Sequence, residues 1–141
     1  VEPLRKRCYT TLSGGEKQRV HLARVLTQIW PDEIAEKEEP KRYLLLDEPT
    51  AALDISHQHM TLTIAKKLAL QGVGVLVILH DLNLAAQYAD RVIILSRGDL
   101  VGDGEPEKVL TVKTIADVFG IAVSIIPHPK TDKPVVIYSG E

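Results

Sequence analysis

Asp47 and Glu48 stand side by side, directly after the apolar residues Tyr43-Leu44-Leu45-Leu46. Adjacent carboxylates repel and each prefers water, so the pair is a poor choice for stability alone. A Mg²⁺ with its bound waters offsets that repulsion, and the neighbouring carboxylate can then orient a water for phosphoryl transfer. Taken alone, the pair serves equally well as two capping acids in a loop; the apolar run before it tilts the reading towards chemistry. Ser13-Gly14-Gly15 forms a second cluster. Two glycines at a helix start let a phosphate approach the backbone amides, and the helix dipole and serine hydroxyl add attraction. Alone, an ordinary capped helix is the commoner meaning. His80 follows the apolar residues 75–79. There it can contact a terminal phosphate and sense its loss, although a lone histidine is more often a core residue satisfied by backbone. His21, His57, His59 and His128 form no ligand constellation. His57 and His59 are two apart and diverge on a helix, which argues against a metal site there.

Helices and strands must position these groups. Ser13 before Glu16 reads as a helix cap with a glutamate three residues on. Leu22, Ala23, Leu26, Ile29 and Trp30 recur at helical spacing as one buried stripe, and Pro31 stops the helix. Residues 31–42 are charged and bounded by prolines, which fits a solvated surface insertion. Residues 43–46 fit a strand buried on both faces. Residues 56–71 read as a helix with Met60, Ile64, Ala65 and Leu68 on one face, ended by Gly72. Residues 73–79 are a second apolar strand ending on His80-Asp81. A short helix at 82–89 leads to a strand at 92–95, a turn at 96–99 and a returning strand. Short helices follow at 105–110 and 112–119. Residues 122–126 and 135–138 are strands around a Pro-rich turn. Strands alternating with helices imply a parallel α/β sheet, in which ligands bind beyond the carboxyl ends of the strands. Asp47, Glu48 and His80 all fall at such ends.

Composition bounds the function. The chain has 141 residues, 45% hydrophobic and 26% charged, enough for one ordinary domain. A net charge of −2 supplies no field for nucleic acid or an acidic membrane. The single cysteine, Cys8, excludes an internal disulfide and suits a reducing cytosol. No apolar run approaches the roughly 20 residues of a membrane helix, and no signal-peptide pattern opens the chain. Any membrane link is expected to run through a partner protein.

In combination the clusters carry a resemblance. Leu12-Ser13-Gly14-Gly15-Glu16-Lys17-Gln18-Arg19 resembles the signature loop of ABC-type ATPases. Tyr43-Leu44-Leu45-Leu46-Asp47-Glu48-Pro49-Thr50 resembles their Walker B strand with its following glutamate. Ala52-Leu53-Asp54 is similar to the D-loop, and His80-Asp81 to the switch histidine. All four come in the family's order. The stretch Gln18 to Trp30, the charged insertion before Tyr43, and the ending His128-Pro129 with Lys133-Pro134-Val135-Val136 resemble the bacterial haem-import ATPases. Residues 80–90 are similar to the broader iron-chelate and cobalamin importer group.

The resemblance implies a partial P-loop NTPase fold: a parallel sheet with flanking helices, without the N-terminal Walker A half. It divides the chain into a signature helix at 12–30, a surface insertion at 31–42, a Walker B to switch-histidine core at 43–95, and a C-terminal part at 96–141. It implies ATP and Mg²⁺ as cofactors. Asp47 would hold Mg²⁺ through water; Glu48 would position the attacking water or act as its base; His80 would contact the γ-phosphate. Ser13, Gly14 and Gly15 would bind ATP held by the opposite subunit of a head-to-tail homodimer. Leu12 and Glu16 would shape that loop, and Asp54 would couple the two sites. Partners would be a second ATPase subunit, transmembrane permease subunits and, indirectly, a periplasmic binding protein. The location would be the cytoplasmic face of the bacterial inner membrane. The transported substrate would not touch this subunit, so its histidines are not haem ligands, and no nucleic acid is expected.

No glycine in the chain precedes a lysine, so the phosphate-cradling loop G-x-x-x-x-G-K-[ST] is absent. The abrupt start at Val1 fits a fragment. The chain by itself is therefore expected neither to bind ATP tightly nor to hydrolyse it, and its apolar strands to stay uncovered unless another chain packs on them. Two other classes share some features. A DNA-repair or chromosome-organising ATPase would show heptads before the signature, and residues 1–11 show none. A docking fragment without catalysis fits the chain taken literally, but Glu48 together with His80 points to an active parent.

Overall fold

Hydrophobic periodicity builds two compact units, residues 1–78 and 79–141. The computed structural model describes residues 2–29 and 41–139. Trp30, the stop at Pro31 and most of the charged insertion lie outside the described residues.

The first unit opens with two 3₁₀ turns, Glu2–Leu4 and Tyr9–Thr11, and then helix α1, Gly14–Ile29. Strand β1, Tyr43–Asp47, helix α2, Ile55–Leu70, and strand β2, Gly74–Ile78, complete it. β1 and β2 pair in parallel, Tyr43 opposite Gly74 and Asp47 opposite Ile78. The expected parallel pairing is therefore present, on two strands. The core joins Leu44, Leu68 and Val73, with Val25, Leu26 and Ile29 of α1 packed against it. The stripe on α1 is real but only half buried: none of its described residues is fully covered. On α2 the buried positions are Thr61, Leu62, Ala65 and Leu68, a helical i, i+1, i+4, i+7 set. Met60, expected on that face, is exposed. The face is rotated by about one position, so that Thr61, a polar residue, takes a fully covered place; its Oγ1 has no hydrogen-bond partner among the described residues.

β1 is not buried on both faces. Leu44 is buried, whereas Leu45 is 71% exposed and Leu76, opposite it on β2, 53% exposed. Helices cover one face of this sheet, and the other lies open, as expected of strands lacking sheet neighbours.

In the second unit, helix α3, Leu82–Tyr88, precedes strands β3, Val92–Ser96, and β4, Asp99–Gly104. Short helix α4, Pro106–Val109, helix α5, Val112–Phe119, and strands β5, Val123–Pro127, and β6, Pro134–Tyr138, follow. β3 and β4 form an antiparallel hairpin, and so do β5 and β6. Arg97 (φ +53°) and Gly98 (φ +91°) make the tight turn of the first hairpin. Two successive left-handed residues match the natural twist of such strands. Arg91 spans this hairpin, donating to both carboxylate oxygens of Asp103 at 2.6 and 2.7 Å. One core gathers Ala86, Val92, Ile94, Val109 and Leu110; a second joins Ile115, Val123 and Val136. Asn83 ties α3 to β6, donating to the Val136 carbonyl at 3.0 Å and accepting its N–H at 2.7 Å.

Candidate functional site

The first unit carries the signature-like loop, the carboxylate pair and Asp54. At the head of α1, the Ser13 N–H donates to Glu16 Oε2 at 2.8 Å, and the Glu16 N–H reaches Ser13 Oγ at 3.3 Å. This reciprocal pair is a capping box, as Ser13 and Glu16 in sequence predict. Arg7 adds a 2.6 Å contact to Glu16 Oε1. The Ser13 N–H is the main cause that holds the Glu16 carboxyl below its usual value, with Arg7 adding to it. Leu12 is buried beneath the loop, 6% exposed, while Ser13 and Gly14 lie at the surface.

Gly15 faces inward. A Cβ there would sit 3.0 Å from the Ala52 carbonyl oxygen and 3.7 Å from a Leu53 methyl, whereas one at Gly14 would meet nothing within 4 Å among the described residues. One glycine thus lets the loop press against the 50–54 turn, and the other leaves the outer surface open to a ligand.

Asp47 ends β1, and Glu48 follows at φ +43°, a left-handed conformation unusual for a side-chain-bearing residue. Both side chains are exposed at the carboxyl end of the strand. Gln18 of α1 donates its amide to the Glu48 main-chain carbonyl at 3.3 Å. Asp47 also lines a cleft of about 290 Å³ with Gln18, Arg19, Pro49, Leu53 and Thr61. Among the described residues no cluster of three or more His, Cys, Asp or Glu could cage a metal by itself. Mg²⁺ asks for less: one or two carboxylates, with waters and substrate phosphates completing its shell. Asp47, with Glu48 beside it, fits that demand.

Asp54 caps α2. Its carboxylate accepts the His57 N–H at 2.9 Å and faces His57 Nδ1 at 2.8 Å. The His57 N–H is the main cause that lowers the Asp54 carboxyl from its ordinary value. Arg19 Nη1 lies 2.9 Å from His57 Nε2. Gln58 donates to the Thr50 and Leu53 carbonyls, each at 3.2 Å, closing the turn between β1 and α2. Gln18, Arg19, His57 and Gln58 were not among the residues that sequence reasoning selected. The signal for Gln18 and Arg19 was present, since both lie within the signature-like octapeptide; His57 owes its place to Arg19 reaching it from α1, and Gln58 to two carbonyls of the turn just before α2.

His80 belongs to the second unit, two residues after the end of β2, with an exposed side chain. Its neighbour Asp81 caps α3, accepting the Asn83 and Leu84 N–H groups at 2.8 and 3.0 Å.

No protein-family model matches the chain. The hemin import ATP-binding protein HmuV of Photobacterium damselae subsp. damselae is 52% identical over 137 residues, 97% of this chain and 49% of that protein. Over nearly its whole length the chain is therefore similar to half of an ATP-binding protein of this kind. It spans about half the length of the curated relatives it matches. Among solved structures, a transporter assigned to the metal-chelate ABC type, in an inward-facing conformation, superposes with a TM-score of 0.75 at 25% identity. That match covers 97% of this chain and 50% of the other. A dimeric ATP-binding cassette, MJ0796, bound to ADP and Pi in a post-hydrolysis state, matches with a TM-score of 0.56 at 33% identity. It covers 69% of this chain and 37% of the other. The fold is therefore part of an ABC ATPase, an α/β P-loop NTPase domain. No helix among the described residues is long and apolar enough to cross a membrane.

Proposed function

We propose that this chain is part of the ATP-binding, ATP-hydrolysing subunit of a bacterial ABC importer, with hemin as the transported cargo. The observation that carries this reading is one joint. The capped signature-like loop presses Gly15 on the 50–54 turn, and Gln18 of the same helix holds the Glu48 carbonyl. Loop, turn and carboxylate pair are thus built as a single body.

In the proposed subunit, Asp47 would hold Mg²⁺. Mg²⁺, when bound, neutralises phosphate charge during transfer. Glu48 orients the attacking water and accepts its proton. His80 contacts the γ-phosphate. Ser13, Gly14 and Gly15 present a hydroxyl and helix-start amides to ATP bound by the opposite subunit of a head-to-tail homodimer. Asp54, in the turn beside that loop, couples the two sites. Hydrolysis resets transmembrane permease subunits between inward and outward states, and the subunit sits peripherally on the cytoplasmic face of the inner membrane. A periplasmic binding protein delivers the cargo, so no residue here reads hemin. The phosphate-cradling loop must come from the remainder of a subunit as long as the relatives.

The test of cargo is transport. The full-length subunit, joined to its permease in vesicles with the binding protein, should drive ATP-dependent hemin uptake. It should leave cobalamin and ferric siderophores outside. Uptake of either of those in place of hemin would move the assignment to the wider importer group.

A further inference from the structure

We propose that His57 is a positioning residue that ties the signature-bearing helix α1 to Asp54, acting as a neutral imidazole protonated on Nδ1. A guanidinium has only donors, so the Arg19 Nη1 contact at 2.9 Å requires a lone pair on His57 Nε2. The ring proton then belongs to Nδ1, which points at both Asp54 oxygens, each at 2.8 Å. The two contacts demand one and the same tautomer, and each stabilises it for the other.

Position gives the link its consequence. Arg19 follows Gln18, which holds the Glu48 carbonyl, on the helix that begins at the Ser13–Glu16 capping box. Asp54 ends the turn that Gln58 closes and that Gly15 presses against. The imidazole is half-buried between them, its side chain 31% exposed against 65% for Asp54. Any shift of α1 is therefore passed to Asp54 through a two-bond bridge, and the reverse holds equally. An Arg–Asp pair alone would be a flexible surface ion pair of small worth. A planar ring between the two fixes both distance and direction.

This inference deepens the ATPase reading, and its kinetic arm rests on that reading; its spectroscopic arm does not. The first measurement is a long-range ¹H–¹⁵N spectrum of the full-length subunit at about pH 8, where imidazole is ordinarily neutral. His57 is assigned by comparison with His57→Gln. A protonated Nδ1 and a bare Nε2 are expected; a protonated Nε2 overturns the proposal. The second is a double-mutant cycle on ATP turnover with Arg19→Met and His57→Ala. Each single change should lower kcat about 3- to 10-fold with little change in KM, the size of one or two lost hydrogen bonds. The double variant should lose no more than the worse single, because both remove the same bridge. Losses that multiply would overturn the proposal. If the unmutated full-length subunit hydrolyses no ATP, the ATPase reading fails and the tautomer alone decides the bridge.

Discussion

Glu16 accepts the Ser13 N–H and the Arg7 guanidinium at once, and that pairing holds its folded-state carboxyl below the ordinary value. A depressed acid stabilises the fold above the unfolded-state pKa, about 4.3 for glutamate, and that contribution is lost as pH falls through the folded value. In the full-length subunit, the gap in urea midpoint between the natural protein and Glu16→Gln should be present at pH 7 and close below about pH 4. A gap that stays constant into acid would show that the capping box does not depend on the charge. The two loop glycines should also separate. Gly14→Ala meets open space and is expected to be neutral or mildly stabilising, whereas Gly15→Ala drives a methyl towards the Ala52 carbonyl. Overpacking of that kind costs about 1–2 kcal/mol, readable by denaturation. Sequence alone identified Ser13, Gly14, Gly15 and Glu16 as one loop, because capping is a local rule. It could not assign inward and outward roles to the glycines, because the Ala52 carbonyl arrives from a distant part of the chain.

The helices and strands were legible wherever one local signal decided them. Continuous apolar runs marked β1 and β2, a Gly-containing turn marked the β3–β4 hairpin, and Gly120 (φ +69°) stops α5. Orientation was less legible. Met60 shares helical spacing with Ile64 and Leu68, yet the face that packs carries Leu62, Ala65 and Leu68 and places Thr61 inside instead. A continuous apolar run predicts a strand covered on both faces, yet Leu45 and Leu76, opposite each other in the register, lie open together. Caps lend themselves to a direct test. Asp81 holds two N–H groups at the start of α3, whose Leu84 and Ala86 are buried. Asp81→Ala is expected to destabilise the second unit by about 1 kcal/mol in equilibrium denaturation. An unchanged midpoint would mean that α3 is held by packing alone.

At the scale of the whole molecule, the chain is about half as long as its relatives, and its parallel sheet shows an open apolar face. It contains the signature-like loop, the carboxylate pair and His80, but no glycine followed by lysine that could belong to a phosphate-cradling loop. The 141-residue chain by itself is accordingly expected to show no ATP turnover above background. The central claim is that the Asp47-Glu48 turn is the hydrolytic end of an ABC ATPase. It is tested most directly by ATP turnover of the full-length subunit with and without Glu48→Gln. That change keeps the size of the side chain and removes its basicity. The natural subunit should hydrolyse ATP, while the Glu48→Gln subunit should retain bound ATP and lose turnover by about 100-fold or more. Turnover undiminished by Glu48→Gln would contradict it.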